Sequence, residues 1–358
     1  MNGMKMYLLL CGCISFTHLY SILFGGSLIP FLRRYAIILL TMIQLPNPAT
    51  EPTIYFIGVT TAQSSIMKVF PRWAKVLGID AVIKGIDIGI HAPAEDYRQA
   101  VTFIKEDPLS LGALVTTHKL DLLHAARDLF DSLDPYADLL SEISSISKQG
   151  DKLWGHAKDP ITSGLSLEAF LPTGWWITHP EACALIIGAG GSSLATTIYL
   201  MDAAKHGKNR PSKIVVTNRS KPRLEHMKEI HTGLNSGVPT KYHFCPTFEE
   251  NDVVVAQMPE HTLVINATGL GKDVPGSPLT DAAVFPKNGL AWEFNYRGDL
   301  KFMHQAQAQK ARRNLIVEDG WIYFIHGWSQ VIAEVFHQNL TPELVHELSD
   351  AASDLRPK

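Results

Sequence analysis

Apolar runs separated by polar, glycine- or proline-containing turns recur along this chain, and they alternate between two patterns. Thr53–Val59, Ala81–Ile90 and Leu111–Thr117 are short runs rich in β-branched residues. Such runs suit strands buried on both faces. Between them, Ile66–Leu77 and Ala94–Glu106 space their apolar residues three and four apart, as helices do, and Ser64 and Ser65 can cap the first of these. Asp121–Phe130 and Pro135–Glu142 read as further helices, Ile143–Ser147 and Leu153–His156 as a hairpin around Gln149–Asp151, and Pro160–Phe170 as the helix leading out of this half. Alternating strands and helices imply an α/β domain with a mainly parallel sheet.

A second series begins at Ala182–Ile187, a small and apolar run that ends in Gly188-Ala189-Gly190-Gly191-Ser192-Ser193. A helix-compatible run, Leu194–Lys205, follows, then a strand-like run, Lys213–Thr217, that ends in Asn218-Arg219-Ser220. Strand, glycine turn, helix and strand form one βαβ unit of the dinucleotide-binding kind. Gly188 permits the turn, and Gly190 lets a pyrophosphate approach the backbone. The helix beginning near Gly191 and Ser192 offers N–H groups and a favourable dipole to the phosphates. An acidic residue after the second strand accepts from the ribose of NAD, whereas arginine pairs with the 2′-phosphate of NADP. Arg219 stands there, with Ser220, Lys221 and Arg223 close by, and guanidinium suits phosphate. The position favours NADP; a solvated basic loop is the alternative.

His206–Pro211 reads as an inserted loop. Leu263–Thr268, running into Gly269, is a strand whose end should lie against the nicotinamide half, where open α/β sheets bind ligands. Leu290–Tyr296 and Asn314–Val317 read as the next strands and Leu300–Arg313 as the helix between them. Trp321–Gln338 is strongly helical, and Thr341–Pro342 supplies a cap and first position for a closing helix, Glu343–Leu355. The fold class expected is α/β: an N-terminal α/β substrate domain plus a Rossmann-type doubly wound dinucleotide domain. The boundaries are 51–172 for the first, 173–320 for the second, and 321–358 for C-terminal helices returning to the first.

Residues 1–50 stand apart. Met6–Gly26 is nearly continuously apolar and about long enough to span a bilayer, and Tyr35–Leu45 is a second run preceded by Arg33 and Arg34. Membrane anchor, targeting segment, and a stretch outside the working protein are the three readings. The last is preferred, with Met42 as the start and a cytoplasmic protein as the consequence; anchorage through residues 6–26 is the alternative. With 358 residues, 46% hydrophobic and 19% charged, the chain has an ordinary globular composition with room for two domains. Its net charge of −3 gives no electrostatic case for nucleic acid. The spacing of Cys11, Cys13, Cys183 and Cys245 resembles no metal site, so reduced thiols and no metal are expected.

From about Thr53 to about Phe336 the chain resembles the shikimate/quinate dehydrogenase family. The family's GAGG turn, NR(T/S) strand end and (I/V)NAT strand appear as Gly188-Ala189-Gly190-Gly191, Asn218-Arg219-Ser220 and Ile265-Asn266-Ala267-Thr268. Its VT-x-P-x-K loop is matched, with one residue fewer, by Val115-Thr116-Thr117-His118-Lys119, and its G-x-NTD motif by Gly155-His156-Ala157-Lys158-Asp159 at the glycine and aspartate only. The resemblance implies Lys119 and Asp159 as the catalytic pair. Ala267, Thr268 and Gly269 would lie at the nicotinamide, and Ser64, Ser65, Thr116, Ser144, Tyr296 and Gln330 around the substrate. Departures fall on the substrate pocket. The family's Ser-x-Ser aligns with Ser64 and Ile66, its two asparagines with Ser144 and Ala157, and its glutamine with Gly327, one helical turn before Gln330.

The implied function is NADP-dependent, reversible hydride transfer to and from a cyclic hydroxy acid such as shikimate/3-dehydroshikimate, as in aromatic amino acid biosynthesis. Alternatives are a same-fold dehydrogenase for quinate or another cyclitol, and a non-catalytic NADP-binding sensor. A small-molecule substrate and a monomer or homodimer are expected. Lys119 is the expected proton relay, with Asp159 orienting it and the substrate. An Asp before Pro at a helix start is also a common cap, and His118 is a rival base.

Overall fold

The computed structural model describes residues 43–272 and 274–356. Met6–Gly26 and Met42, on which the three readings of the N-terminal segment turn, lie outside the described residues. Among the described residues no helix is long and apolar enough to cross a membrane. Pro46–Lys358 forms one compact unit containing two sheets.

The first lobe runs β1 (Thr53–Gly58), α1 (Ile66–Leu77), β2 (Val82–Asp87), α2 (Ala94–Glu106), β3 (Ser110–Val115), α3 (Lys119–Ala126), β4 (Ser132–Leu133), α4 (Pro135–Leu140), β5 (Ser145–Gln149), β6 (Lys152–His156) and α5 (Asp159–Glu168). Its sheet order is β2-β1-β3-β5-β6-β4. β1 is buried throughout and pairs in parallel with β2 and β3. β5 alone runs against its neighbours, because a tight turn at Gly150, with φ 62°, reverses it into β6. The strand expected at Ala81–Ile90 stops at Asp87, and Ile90 is left 63% exposed. Ser64 and Ser65 do not cap α1: Ser65 already has helical backbone angles, and no side-chain cap bond forms.

The second lobe runs α6 (Trp175–Thr178), β7 (Ala184–Ile187), α7 (Gly191–Met201), α8 (Ala203–His206), β8 (Ile214–Asn218), α9 (Lys221–Leu234), β9 (Thr240–Phe244), α10 (Phe248–Ala256), β10 (Leu263–Asn266), β11 (Leu290–Glu293), α11 (Lys301–Gln307), α12 (Lys310–Arg313) and β12 (Ile316–Glu318). All its strands are parallel, in the order β12-β11-β10-β7-β8-β9. That is the doubly wound dinucleotide-binding order, with its switch point between β7 and β10. The helix expected over Leu194–Lys205 is broken at Asp202 into α7 and α8, with α8 reaching only the first residue of the loop expected at His206–Pro211, and the helix expected over Leu300–Arg313 is broken into α11 and α12.

The last two helices, α13 (Trp321–Val335) and α14 (Pro342–Ala352), pack on the first sheet. Phe56, Phe70, Trp73, Trp321, Phe324 and Leu348 share one core, and the Trp73 indole N–H donates to the Leu348 carbonyl at 2.7 Å. The Thr341 hydroxyl accepts from the Leu344 N–H and caps α14. Between the lobes α5 lies against α7. A Cβ on Gly164 would stand 1.9 Å from the Tyr199 ring, so only glycine allows this approach. Tyr199 closes the contact with a hydrogen bond to Glu168.

Candidate active site

Lys119 follows a strained reversal. The Thr116 carbonyl accepts from the His118 N–H at 2.6 Å, with Thr117 between them at φ 64°. The missing residue of the loop is thus absorbed by a three-residue turn, in a conformation that a β-branched side chain rarely adopts. The turn delivers Lys119 as the first residue of α3. Asp159 opens α5, ahead of Pro160 in the first turn. It makes no cap bond; its carboxylate accepts from the Lys119 ammonium instead. The two side chains are 22% and 18% exposed. Burial favours a neutral Lys119, but the charges of Asp159 and Glu142 and the bond to Asp159 outweigh it and hold the amine above the usual lysine range.

The pair lies in a cavity of about 860 Å³ between the lobes. Ser64, Ser65, Thr116, Lys119, Ser144 and Asp159 line it from the first lobe, and Ser192, Ala267, Thr268, Gly269 and Tyr296 from the second. Neither the Ser64 nor the Ser65 hydroxyl is bonded within the described residues, so both remain open to a ligand. The Ser144 hydroxyl already accepts from the Lys158 N–H at 2.9 Å. Tyr296 lines the cavity and packs on Phe324, with ring centroids 4.7 Å apart. Gln330 is outside the lining; Gly327, Trp328 and Val331 face the cavity from α13 instead.

At the second lobe's switch point, Gly188 has φ 114°, and a Cβ there would meet the Ala267 carbonyl oxygen at 2.8 Å. A Cβ on Gly190 would meet nothing within 4 Å, so the space above it is open. Gly190 is the N-cap of α7 without a side-chain cap bond, leaving the N–H groups at the start of Gly191 and Ser192 directed outward. The Ala267–Gly269 wall is pinned from behind. Asn266 accepts from the Thr268 N–H and hydroxyl at 3.1 and 2.6 Å and donates to the buried Glu293 at 2.7 Å. Burial outweighs the donors around Glu293 and pushes its carboxyl up to about 8. Asn218, Arg219, Ser220 and Arg223 lie at the end of β8 and the start of α9, away from the cavity. Arg219 and Arg223 are exposed and have no bonded partner among the described residues.

His118 is not in the site. It is 1% exposed and faces Tyr97, and burial lowers its pKa. Sequence reasoning missed Tyr323, which lines the cavity from α13, and Lys272 and Arg297, which line it from the second lobe. It also took Glu142 for the end of a helix. α4 stops at Leu140, and Glu142 lies at 7% exposure behind Lys119. A lone acidic residue beside Ile143 and Ser144, at the entrance to a buried strand, was the available signal.

No family model matches the chain. A shikimate dehydrogenase (NADP(+)) of Lactococcus lactis subsp. cremoris is 25% identical over 183 residues, 51% of this chain and 60% of that relative. The chain spans 56–60% of the length of the curated relatives it matches. Among solved structures, a quinate dehydrogenase from Corynebacterium glutamicum in complex with NAD superposes with TM-score 0.67 at 17% identity, covering 85% of this chain and 99% of the other. A shikimate 5-dehydrogenase from Thermus thermophilus in complex with NADP(H) and shikimate gives 0.62 at 19%, covering 84% and 99%. The chain is thus similar in sequence to shikimate dehydrogenases over about half its length and shares the fold of the solved shikimate and quinate dehydrogenases. Its departures from the shikimate/quinate dehydrogenase pattern can now be placed. Ile66, in register with the family's second serine, is fully buried in the core, and adjacent Ser65 brings a hydroxyl to the cavity instead. Ala157 is fully buried, and Gly327 lines the cavity at the position in register with the family's glutamine.

Proposed function

We propose that this chain is an NADP-dependent dehydrogenase of the shikimate dehydrogenase type. It interconverts a cyclic hydroxy acid and its ketone, of the shikimate/3-dehydroshikimate class. The observation behind this is the Lys119–Asp159 pair, which opens into the same cavity as Ser192 and Ala267–Gly269. The residues fit the cofactor: an uncapped helix start beside unobstructed Gly190 suits a diphosphate, and exposed, unpaired Arg219 suits a 2′-phosphate. NADP(H), when bound, supplies or accepts the hydride.

Lys119 handles the proton. As a carbonyl oxygen gains negative charge in the reducing direction, the ammonium donates to it and the alcohol forms. In the oxidising direction the amine must first be freed of its proton. Asp159 holds the ammonium in place and stabilises it, so the resting site is poised as an acid. The Ser64 and Ser65 hydroxyls and Tyr296 orient the substrate. The test is a panel of shikimate, quinate, related cyclitols and their dehydro forms, following NADPH absorbance. Turnover of any member supports the reading.

The altered positions Ser144, Ala157 and Gly327 favour a second reading within the same chemistry, a quinate or other cyclitol as substrate. Tight NADP binding without turnover of any panel member would instead support a sensor.

A further inference from the structure

Glu142 is a buried carboxyl for which the hydride chemistry has no use. It is 7% exposed, and no hydrogen bond engages its carboxyl oxygens within the described residues. One of those oxygens lies 3.8 Å from where a Cβ on Gly191 would be, so it is aimed at the first turn of α7. That is the place assigned above to the cofactor's diphosphate, and this inference rests on that assignment. Lys119 from α3 and Asp159 from α5 act on Glu142, and the Gly191 backbone of α7 lies beside it, while the Tyr323 phenol from α13 faces Lys119, Asp159 and Ser192. Lys119 is the one cation among them, and its ammonium is already bonded to Asp159.

We propose that Glu142 couples dinucleotide binding to a proton: its neutral carboxyl admits the diphosphate at the start of α7, and its carboxylate repels it. With the carboxylate ionised, an arriving diphosphate meets a like charge beside the first helical turn that Lys119, already paired with Asp159, only partly offsets. The helix start attracts both anions, so they compete for the same field. Burial, opposed by Lys119 and aided by Asp159, pushes the Glu142 carboxyl up to about 7, so the change falls in the neutral range.

The experiment measures NADPH and NADH affinity of the full chain by calorimetry across the neutral range, in buffers of different ionisation enthalpy. The same is done for Glu142→Gln and Glu142→Ala. For the parent, affinity should fall by up to about tenfold per pH unit above neutrality, with uptake of up to about one proton per cofactor bound. Both variants should hold affinity level to within about twofold once the 2′-phosphate's own titration, seen as the difference between NADPH and NADH, is removed. Parallel profiles for parent and variants, or NADH binding without proton uptake by the parent, would overturn the inference while leaving the dehydrogenase reading intact. If one variant fails to fold, the parent's proton uptake with NADH still decides the matter. Failure of either dinucleotide to bind at any pH would overturn both.

Discussion

Lys119 and Asp159 are the first residues of two different helices, α3 and α5, and they meet as an ion pair at the wall of the inter-lobe cavity. Lys119→Ala should lower turnover by about 10²–10⁴-fold while dinucleotide affinity changes less than about threefold, since the amine acts on the substrate's proton. Asp159→Asn, which keeps the shape and loses the charge, should also slow turnover. It should lower the lysine's pKa too, moving the basic limb of the pH–rate profile to lower pH. Steady-state rates on the panel substrate and direct cofactor titration check this. Near-parent rates in both variants would place the chemistry elsewhere.

Arg219 stands exposed and unpaired at the end of β8. Arg219→Asp should weaken NADPH binding by about 10–100-fold, the loss of one charge-assisted contact plus a new repulsion, and leave NADH within about threefold. Fluorescence titration with both cofactors separates this from unfolding. Equal losses for the two would remove Arg219 from phosphate recognition.

Gly188 combines a φ of 114° with a backbone oxygen 2.8 Å from any added Cβ. Gly188→Ala should destabilise the fold by about 2–4 kcal/mol and displace the Ala267–Gly269 wall. Denaturant unfolding gives the first quantity. A variant as stable as the parent would mean that the turn can relax.

Glu142 also makes a stability prediction. Its folded pKa of about 7 lies above the ordinary 4.5, so the native state holds the extra proton and stability from this group is lost as pH rises through that window. Glu142→Gln removes the loss. Relative to the parent, it should gain about 1–3 kcal/mol near pH 8 and little near pH 4.5. Chemical unfolding at the two pH values tests this, and an equal gain or loss at both would exclude the titration as its cause.

Much of the fold was legible because its signals are local. The β1, α1, α2 and hairpin runs carry their own periodicity, and the Gly188–Ser192 turn is a contiguous motif. Less legible were α9, β9 and α10: β9 is half-exposed at an edge of the sheet, so its apolar pattern is weak. In the site, Lys119 and Asp159 could be named by motif, whereas Gln330 was placed one helical turn from Gly327 on a face of α13 that does not reach the cavity.

The sequence alone determined most of the strands and helices, the glycine turn and the basic residue after β8, because short-range steric and hydrophobic patterns decide each of these, while the Lys–Asp pair was named by the resemblance of its two motifs to those of the family. The tertiary structure decided which side chains share a volume. It brought Glu142 to the start of α7, 49 residues ahead in the chain, buried His118 beside Tyr97, and turned the Ser64 and Ser65 hydroxyls from a helix cap toward the cavity. Such neighbourhoods depend on how two sheets and the α5–α7 contact pack, and packing is a property of surfaces assembled from distant segments, which no local pattern encodes.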